Sequence, residues 1–369
     1  MPHFSCSSQT DQILSDNKKN YCTATFTTQY GAFHHLVQEL QISPEKHLQY
    51  FRMSTQQMED LLSIIGPDIP GISINYRTPI GPNEKLAVTL RYLASGNSVR
   101  MLAFHYRMGE STVAKAIKDT CARNIASKFS SRWNFPNCIG VIDGKHILLF
   151  APPHSGSLYF NYKKTFSVVL LAVVDAEYRF RLVHVGEYGW SSDGGVFAGL
   201  AIGQALDAKK LELPDNQQLP GAEHLGNMPF IIVGDAAFPL KTYLLRPYPG
   251  RDISTQQRIF NYRLSRVRNV VENAFGILSS RWRILHSRIN IHPDKINSLI
   301  LSACLLHNFL LKPMEVERLL NTSAPTTGSI ENISTAGGPR GAREAYTVQD
   351  KFCSFFNSEG RVSWQNEMV

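Results

Sequence analysis

Residues 138–150 read CIGVIDGKHILLF, and residues 165–186 read TFSVVLLAVVDAEYRFRLVHVG. Short apolar runs rich in Val, Ile and Leu, bounded by turn residues, read as strands. The second run predicts two strands joined at Asp175-Ala176-Glu177. Downstream, Ser192-Asp193 can cap a helix carrying Val196, Phe197, Leu200, Ile202 and Leu206. A polar insertion (207–228) comes next, then PFIIVGD (229–235) as a short buried strand and TYLLRPYP (242–249) as another. A long helical region spans roughly 255–286, and KINSLILSACLLHNFLL (295–311) closes as an apolar helix. Three adjacent strands, a helix, two more strands and then helices predict an α/β domain on a mixed sheet, over 131–312.

The preceding chain has a helical period instead. Ser54 and Gln57 form a capping box before Met58, Leu61, Leu62 and Ile65, and Gly66-Pro67 ends that helix. A second helix starts at Pro82 and runs through Leu86, Leu90 and Leu93 to Gly96. In SVRMLAFHYRMGESTVAKAIKDTC (98–121), Ser98 caps a short helix and Arg107-Met108-Gly109 turns the chain. Ser111 is expected to cap a second helix carrying Val113, Ala114, Ile117 and Cys121. The pattern is that of a helix-turn-helix, although many small helical bundles look alike. Residues 46–130 are therefore expected to form a helical, helix-turn-helix-like domain. Residues 1–45 are polar with isolated aromatics and are expected to be partly disordered. A flexible linker is expected over 313–345, where Ser, Thr, Gly and Ala dominate. The segment 346–369 regains pattern at Val348, Phe352, Phe355, Phe356, Val362 and Trp364, and docking back onto the chain's own body is expected.

The 369 residues are 43% hydrophobic, enough for a sizeable core. The sequence holds no run of 18 apolar residues and no charged start leading into an apolar stretch, so neither a membrane span nor secretion is expected. Six scattered cysteines without C-x-x-C argue against a disulfide framework and a structural zinc site, and for a reducing intracellular compartment.

Net charge is +8, and its location carries the information. From Lys241 to Lys295, eleven Lys and Arg stand against Asp252, Glu272 and Asp294, so this segment holds the whole excess. A basic stripe confined to one segment fits a polyanion partner, and a solvated basic helix would look the same. Within it, seven arginines between Ile253 and Pro293 surround one acid, Glu272. Glu272 either pairs with its neighbours, Arg268 first, or binds a divalent cation.

Two other acids favour the cation. Asp143 ends IGVID and Asp235 ends IIVGD; if these strands are neighbours, both carboxylates converge on one sheet edge, and Glu272 approaches from a helix. Oxygen-only ligands suit Mg²⁺ or Mn²⁺, and two such ions serve phosphodiester cleavage. Each aspartate alone reads equally as a turn residue. Arg283 lies eleven residues after Glu272, three helical turns on, where its guanidinium could neutralise phosphate. Arg258, Arg263, Arg266, Arg268, Arg281 and Arg283 are the candidate DNA contacts. Trp282 is expected in the core, and His146, His184, His286 and His307 are expected to be structural. Asp175 is expected to make a hairpin turn. Gly144-Lys145 is no phosphate loop, and no G-x-S-x-G elbow or Cys/His pair offers a covalent nucleophile.

Five motifs, GVIDGKHI, EYGWSSDGGVF, IIVGDAAFPL, RLSRVRNVVENAFGILSSRWRIL and ACLLHNFL, occur in one order between residues 140 and 310, within a likeness that spans roughly 50–312 and returns around GRVSWQ in the tail. Together they resemble the PIF/Harbinger superfamily of DDE transposases and the host nucleases derived from them. The resemblance implies an RNase H-like catalytic domain behind a helical, helix-turn-helix-containing region, with Asp143, Asp235 and Glu272 as the catalytic, metal-binding triad. Asp193 matches a further acid of the family, a candidate to support the metal-binding carboxylates, although here Ser192 precedes it where the family usually has His. Similar transposases act with a separate Myb-like DNA-binding protein that also assists import into the nucleus. The resemblance thus implies a Mg²⁺- or Mn²⁺-dependent DNA endonuclease, with two ions at its site, leaving a 3′-hydroxyl that a full transposase would join to target DNA. A homodimer in the nucleus, with a cytoplasmic pool, is expected. The alternatives are a non-cleaving DNA-binding or adaptor protein on the same fold, and a metal phosphatase for small substrates.

Overall fold

The computed structural model describes residues 30–69, 80–153, 155–188, 193–208, 210, 213–311 and 342–368. Residues 1–29 of the expected N-terminal extension, 313–341 of the expected linker and the Gly189–Ser192 stretch of EYGWSSDGGVF lie outside them. The chain divides into two compact units, up to Asn124 and from Ile125 onward.

The first unit holds α1 (Pro44–Phe51), α2 (Thr55–Ile65), α3 (Pro82–Ser95), α4 (Val99–Tyr106) and the start of α5 (Glu110–Trp133). Its helix ends obey the local chemistry. The Ser54 hydroxyl accepts the Gln57 N–H while the Gln57 side chain accepts the Ser54 N–H, completing the capping box. Gly96 ends α3 at φ +66°, where a side chain would be strained. Met58, Ile65, Leu86, Leu90, Leu102, Tyr106 and Val113 are buried together.

Three expectations change here. Val37 and Leu40, in the expected disordered stretch, lie in helical turns and join this core. Leu93 is 63% exposed rather than core. Ser111 lies inside the helix rather than at its N-cap: α5 begins at Glu110, with the Gly109 carbonyl accepting the Val113 N–H at 3.0 Å. No Gly or Pro interrupts residues 110–133, so the helix runs 24 residues, far past Cys121.

The second unit is built on five strands, β1 (Cys138–Leu149), β2 (Phe166–Val174), β3 (Phe180–Tyr188), β4 (Ile231–Val233) and β5 (Leu244–Leu245), ordered β3-β2-β1-β4-β5. The first three are antiparallel, β4 runs parallel to β1, and β5 parallel to β4. The expected strand over TYLLRPYP shrinks to two residues because Pro247 and Pro249 bring no N–H donor to a ladder. Asp175 makes the β2–β3 turn, its Oδ1 accepting the Glu177 and Arg179 N–H groups at 2.8 and 3.0 Å.

Alternation along β1 sends Val141, Ile147 and Leu149 into one core and Ile142 into another on the opposite face. The first core is covered by α8 (Thr255–Arg281), α9 (Pro293–Leu310) and α10 (Arg343–Asn357). The second is covered by α6 (Asp193–Gly199) and α7 (Ala201–Asp207). The single helix expected over Val196–Leu206 is thus two, because Leu200 after the poor helix former Gly199 adopts an extended ψ of 146°. The C-terminal segment packs onto the same unit. Phe352, Phe355 and Phe356 are buried against the unit's main core, with the Phe356 ring 4.7 Å from that of Phe135. Among the described residues, no helix is long and apolar enough to cross a membrane.

Candidate active site

The site begins with a mismatch of strand lengths. Asp143 does not end its strand: β1 runs on to Leu149, and Asp143 pairs with Ala172 of β2. On its other side, however, β1 loses its partner, because pairing with β4 stops at Val141↔Val233. Asp143 therefore borders a notch in the sheet, and Asp235, two residues past Val233, stands at the same notch. Neighbouring parallel strands bring the two acids to one edge, as the sequence pattern requires. The Asp235 Oδ1 accepts the Ala237 N–H at 2.9 Å, and Asp143 Oδ1 accepts the Gly144 N–H at 2.9 Å.

Asp193 reaches this edge from the opposite face of β1. A Cβ on Gly144 would lie 2.0 Å from Asp193 Oδ1, and a Cβ on Gly194 would lie 2.3 Å from the Ala237 carbonyl oxygen. Two glycines thus let the first turn of α6 wedge between β1 and the loop after β4. The electrostatics arise from this crowding. Burial pushes the Asp143 carboxyl up to about 7; Arg268 opposes the shift, and Asp235 and Asp193 add to it. Burial and then Asp235 push Asp193 up to about 6. Like charges held together in a poorly hydrated place are the usual preparation for a cation.

Glu272 lies on α8 and is exposed. Arg268, one turn earlier, places Nη2 3.4 Å from Glu272 Oε1 and 3.8 Å from Asp143 Oδ2. The expected resting pair of Arg268 and Glu272 is present, and it includes Asp143 as well. As placed, no three His, Cys, Asp or Glu side chains among the described residues converge closely enough to ligate one ion.

The candidate DNA-binding arginines separate by burial. Arg258 and Arg283 are exposed, and Arg266 stacks on the Trp364 ring at 4.0 Å, whereas Arg281 has both Nη atoms buried and, contrary to expectation, offers no donor to a phosphate. Arg263 does not belong with them. It is 1% exposed, and its guanidinium donates to the Asn134 and Gly360 carbonyls and to Gln365 Oε1, so no donor can reach a phosphate. Arg283 also sits differently from the expectation. The α-helix ends at Arg281, Trp282 has φ −104° and ψ 79°, and Arg283 opens a 3₁₀ turn, so its three-turn alignment with Glu272 is lost.

Lys145 forms no phosphate loop, yet it belongs to this site. Its Nζ lies 5.9 Å from the Phe275 ring centroid, and burial lowers its pKa while Asp143 and Glu272 pull it back up. Strand alternation was the available signal, since Lys145 shares a face with Asp143. Trp282 packs against the core as expected. His307 is buried beside the Tyr178 carbonyl at 2.9 Å, His146 bonds Ser167 and His184 lies 3.1 Å from Glu187, while His286 is exposed.

Residues 142–308 match the DDE superfamily endonuclease family. The chain is 29% identical over 298 residues to the ALP1-like protein of Arabidopsis thaliana, covering 73% of this chain and 71% of the relative. It is 30% identical over 294 residues to that plant's Antagonist of Like Heterochromatin Protein 1, covering 71% and 72%. It is 22% identical over 334 residues to human HARBI1, named as a candidate nuclease, covering 82% and 87%. No solved structure matches the chain significantly.

Proposed function

Because this chain belongs to the PIF/Harbinger-type family of DDE transposase-derived endonucleases, we propose that it cuts DNA with divalent metal at the Asp143, Asp235 and Glu272 carboxylates. The observation that carries this reading is the convergence of Asp143, Asp193 and Asp235 at the notch between β1 and β4, with Glu272 on the adjoining basic helix. Three antiparallel strands and then two parallel ones, in the order β3-β2-β1-β4-β5, support an RNase H-like domain.

The side chains fit a hard divalent cation. They offer oxygens alone, they crowd negative charge into a partly buried space, and a guanidinium already stands between Asp143 and Glu272. Asp143, Asp235 and Glu272 would hold the ion or ion pair, Mg²⁺ or Mn²⁺, with Asp193 supporting Asp143. Bound there, the metal supplies Lewis-acid polarisation of the scissile phosphodiester. The chain's own residues do the rest. Arg258, Arg266 and Arg283 neutralise backbone phosphates, and Arg268 exchanges a carboxylate for a phosphate when DNA and metal arrive. Lys145, beside Asp143, faces the same phosphate. Water oxygen bonds to phosphorus, the bond from phosphorus to the 3′ oxygen breaks, and that oxygen leaves with a proton as a 3′-hydroxyl. In a full transposase this hydroxyl joins target DNA.

The helix-turn-helix-like pair α4 and α5, a Myb-like protein, homodimerisation and nuclear residence with a cytoplasmic pool and partner-assisted import complete the reading. The Arg268 contact also suits a non-cleaving DNA-binding adaptor that keeps the fold, since a guanidinium can neutralise the acids without metal. A nicking assay on DNA carrying terminal repeats, with Mg²⁺ or Mn²⁺ and with or without a Myb-like partner, separates them. Metal-dependent nicking that disappears in Asp235→Asn is expected. Intact cleavage by that variant refutes the assigned site, and a wild-type chain that binds but never cuts leaves the adaptor.

A further inference from the structure

The connection from β1 to β2 ends in a tight turn that the cleavage reading does not use. Asn161 is 3% exposed and organises it: Oδ1 accepts the Lys163 and Thr165 N–H groups at 3.0 and 3.1 Å and the Thr165 hydroxyl at 3.0 Å. The Asn161 N–H donates to the Thr165 carbonyl at 2.8 Å, and the Lys164 N–H to the Asn161 carbonyl at 3.0 Å. The Asn161 amide also donates to Ser167 Oγ at 2.9 Å, and Ser167 bonds the His146 ring on β1. The turn is therefore fastened to the strand that carries Asp143.

What this rigid turn holds out is unusual. Tyr162 is 77% exposed, and its ring meets the edge-on His146 ring at 5.6 Å and the Lys163 Nζ at 5.5 Å. Lys163 and Lys164 come directly after it, and Lys163 is close enough to depress both Lys145 and His146. A flexible loop with a stray tyrosine would need no explanation. Seven hydrogen bonds spent on presenting one bare ring beside lysines do need one.

Position supplies the explanation. Gly144, where the Asp193 carboxylate rests, and His146, where Tyr162 packs, are two residues apart on one face of β1, about 7 Å along a strand. That is roughly two nucleotide steps at ~3.4 Å per step of one DNA strand. An aromatic face beside cations is the general device for holding unpaired bases, because every base has a π-face and every linkage a negative charge.

We propose that the Asn161–Thr165 turn is a nucleic-acid contact in which Tyr162 stacks on an unpaired base flanking the cut, and Lys163 and Lys164 neutralise the phosphates beside it. The substrate class is thus DNA with a locally unpaired strand next to the scissile phosphate. This inference rests on reading the acidic notch as a DNA-cleaving site. A preformed platform loses little entropy on binding, which is what the Asn161 network provides.

The test is fluorescence anisotropy of the full chain with a fully paired duplex and with the same duplex carrying three unpaired nucleotides at one end, over a salt series. The wild type is expected to prefer the forked DNA. Tyr162→Ala should reduce that preference by between about fivefold and a hundredfold, and Tyr162→Phe should keep it. Lys163→Ala should weaken both DNAs alike and lower the salt slope by about one unit. DNA binding with a preference that Tyr162→Ala leaves unchanged overturns this inference alone. Absence of any DNA binding overturns it together with the cleavage reading.

Discussion

Arg268 of α8 lies 3.8 Å from Asp143 of β1, and the same guanidinium lies 3.4 Å from Glu272 on its own helix. With 17% of its side chain exposed, Arg268 is the cation that the acids have before any other arrives. If a metal ion binds as proposed, it and this internal cation would compete for the space between these two carboxylates.

Arg268→Ala should therefore do two things. Losing the counter-charge should destabilise the metal-free protein by about 1–2 kcal/mol, less than for a fully buried pair because both contacts are long and partly wet. Removing the competitor should make the variant gain more melting temperature from Mn²⁺ than the wild type gains. Thermal denaturation across a Mn²⁺ titration reads both. A smaller Mn²⁺ shift in the variant would show that Arg268 assists the metal site rather than occupying it.

Gly144 and Asp193 offer a sharper test of which acids act together. Gly144→Ala would thrust a methyl group to within 2.0 Å of the Asp193 oxygen, so Asp193 must withdraw. If Asp193 supports the metal site from there, Gly144→Ala and Asp193→Ala should weaken Mn²⁺ binding by similar factors, and the double variant should be no worse than either. Titration calorimetry on the wild type and the three variants closes that cycle. Full additivity would mean that the two residues act independently.

Much of this arrangement is legible in the sequence, and what is not has a physical reason. The capping box at Ser54 and Gln57, the turn at Asp175 and the strand run before Asp235 are local, so short-range chemistry reveals them. The convergence of Asp143 with Asp235 needs only that β1 and β4 be neighbours. Burial of one arginine among seven is different. Arg263 disappears under Phe356, Trp364, Gly360 and Gln365, about a hundred residues later in the chain, and no periodicity within α8 marks it. Asp193 is marked as a site residue only by the family resemblance, and its place shows once Gly144 on β1 and its own neighbour Gly194 are seen to admit it.

That distinction predicts opposite behaviour for two arginines of one helix. Arg263→Ala removes a buried guanidinium that ties α8 to the C-terminal segment, and it should cost about 3 kcal/mol of stability. Arg258→Ala, at an exposed position, should leave stability within about 0.5 kcal/mol. The order should reverse in DNA binding, where Arg258→Ala lowers the salt slope by about one unit and Arg263→Ala, below its melting point, does not. Urea denaturation and anisotropy on the same two preparations decide it. A salt slope lowered by Arg263→Ala would mean that the buried guanidinium reaches DNA after all.

The helical unit carries its own titration. Glu84 of α3 is 6% exposed, its Oε1 has no hydrogen-bond partner, and burial lifts its carboxyl to about 7. His34 Nε2, 3.8 Å away, gives little relief, since burial and His35 lower its pKa and favour its neutral form. A carboxyl whose folded pKa lies above its unfolded value of about 4.3 binds its proton more tightly when folded. The stability this contributes is complete below about pH 4 and disappears as pH rises through about 7. Glu84→Gln keeps the shape and cannot ionise, so it lacks that loss. Relative to wild type, the variant should gain stability steadily between pH 4 and 7 and level off above, as read from urea midpoints at each pH. A difference that stays constant across this range would mean that Glu84 ionises as easily in the fold as in the unfolded chain.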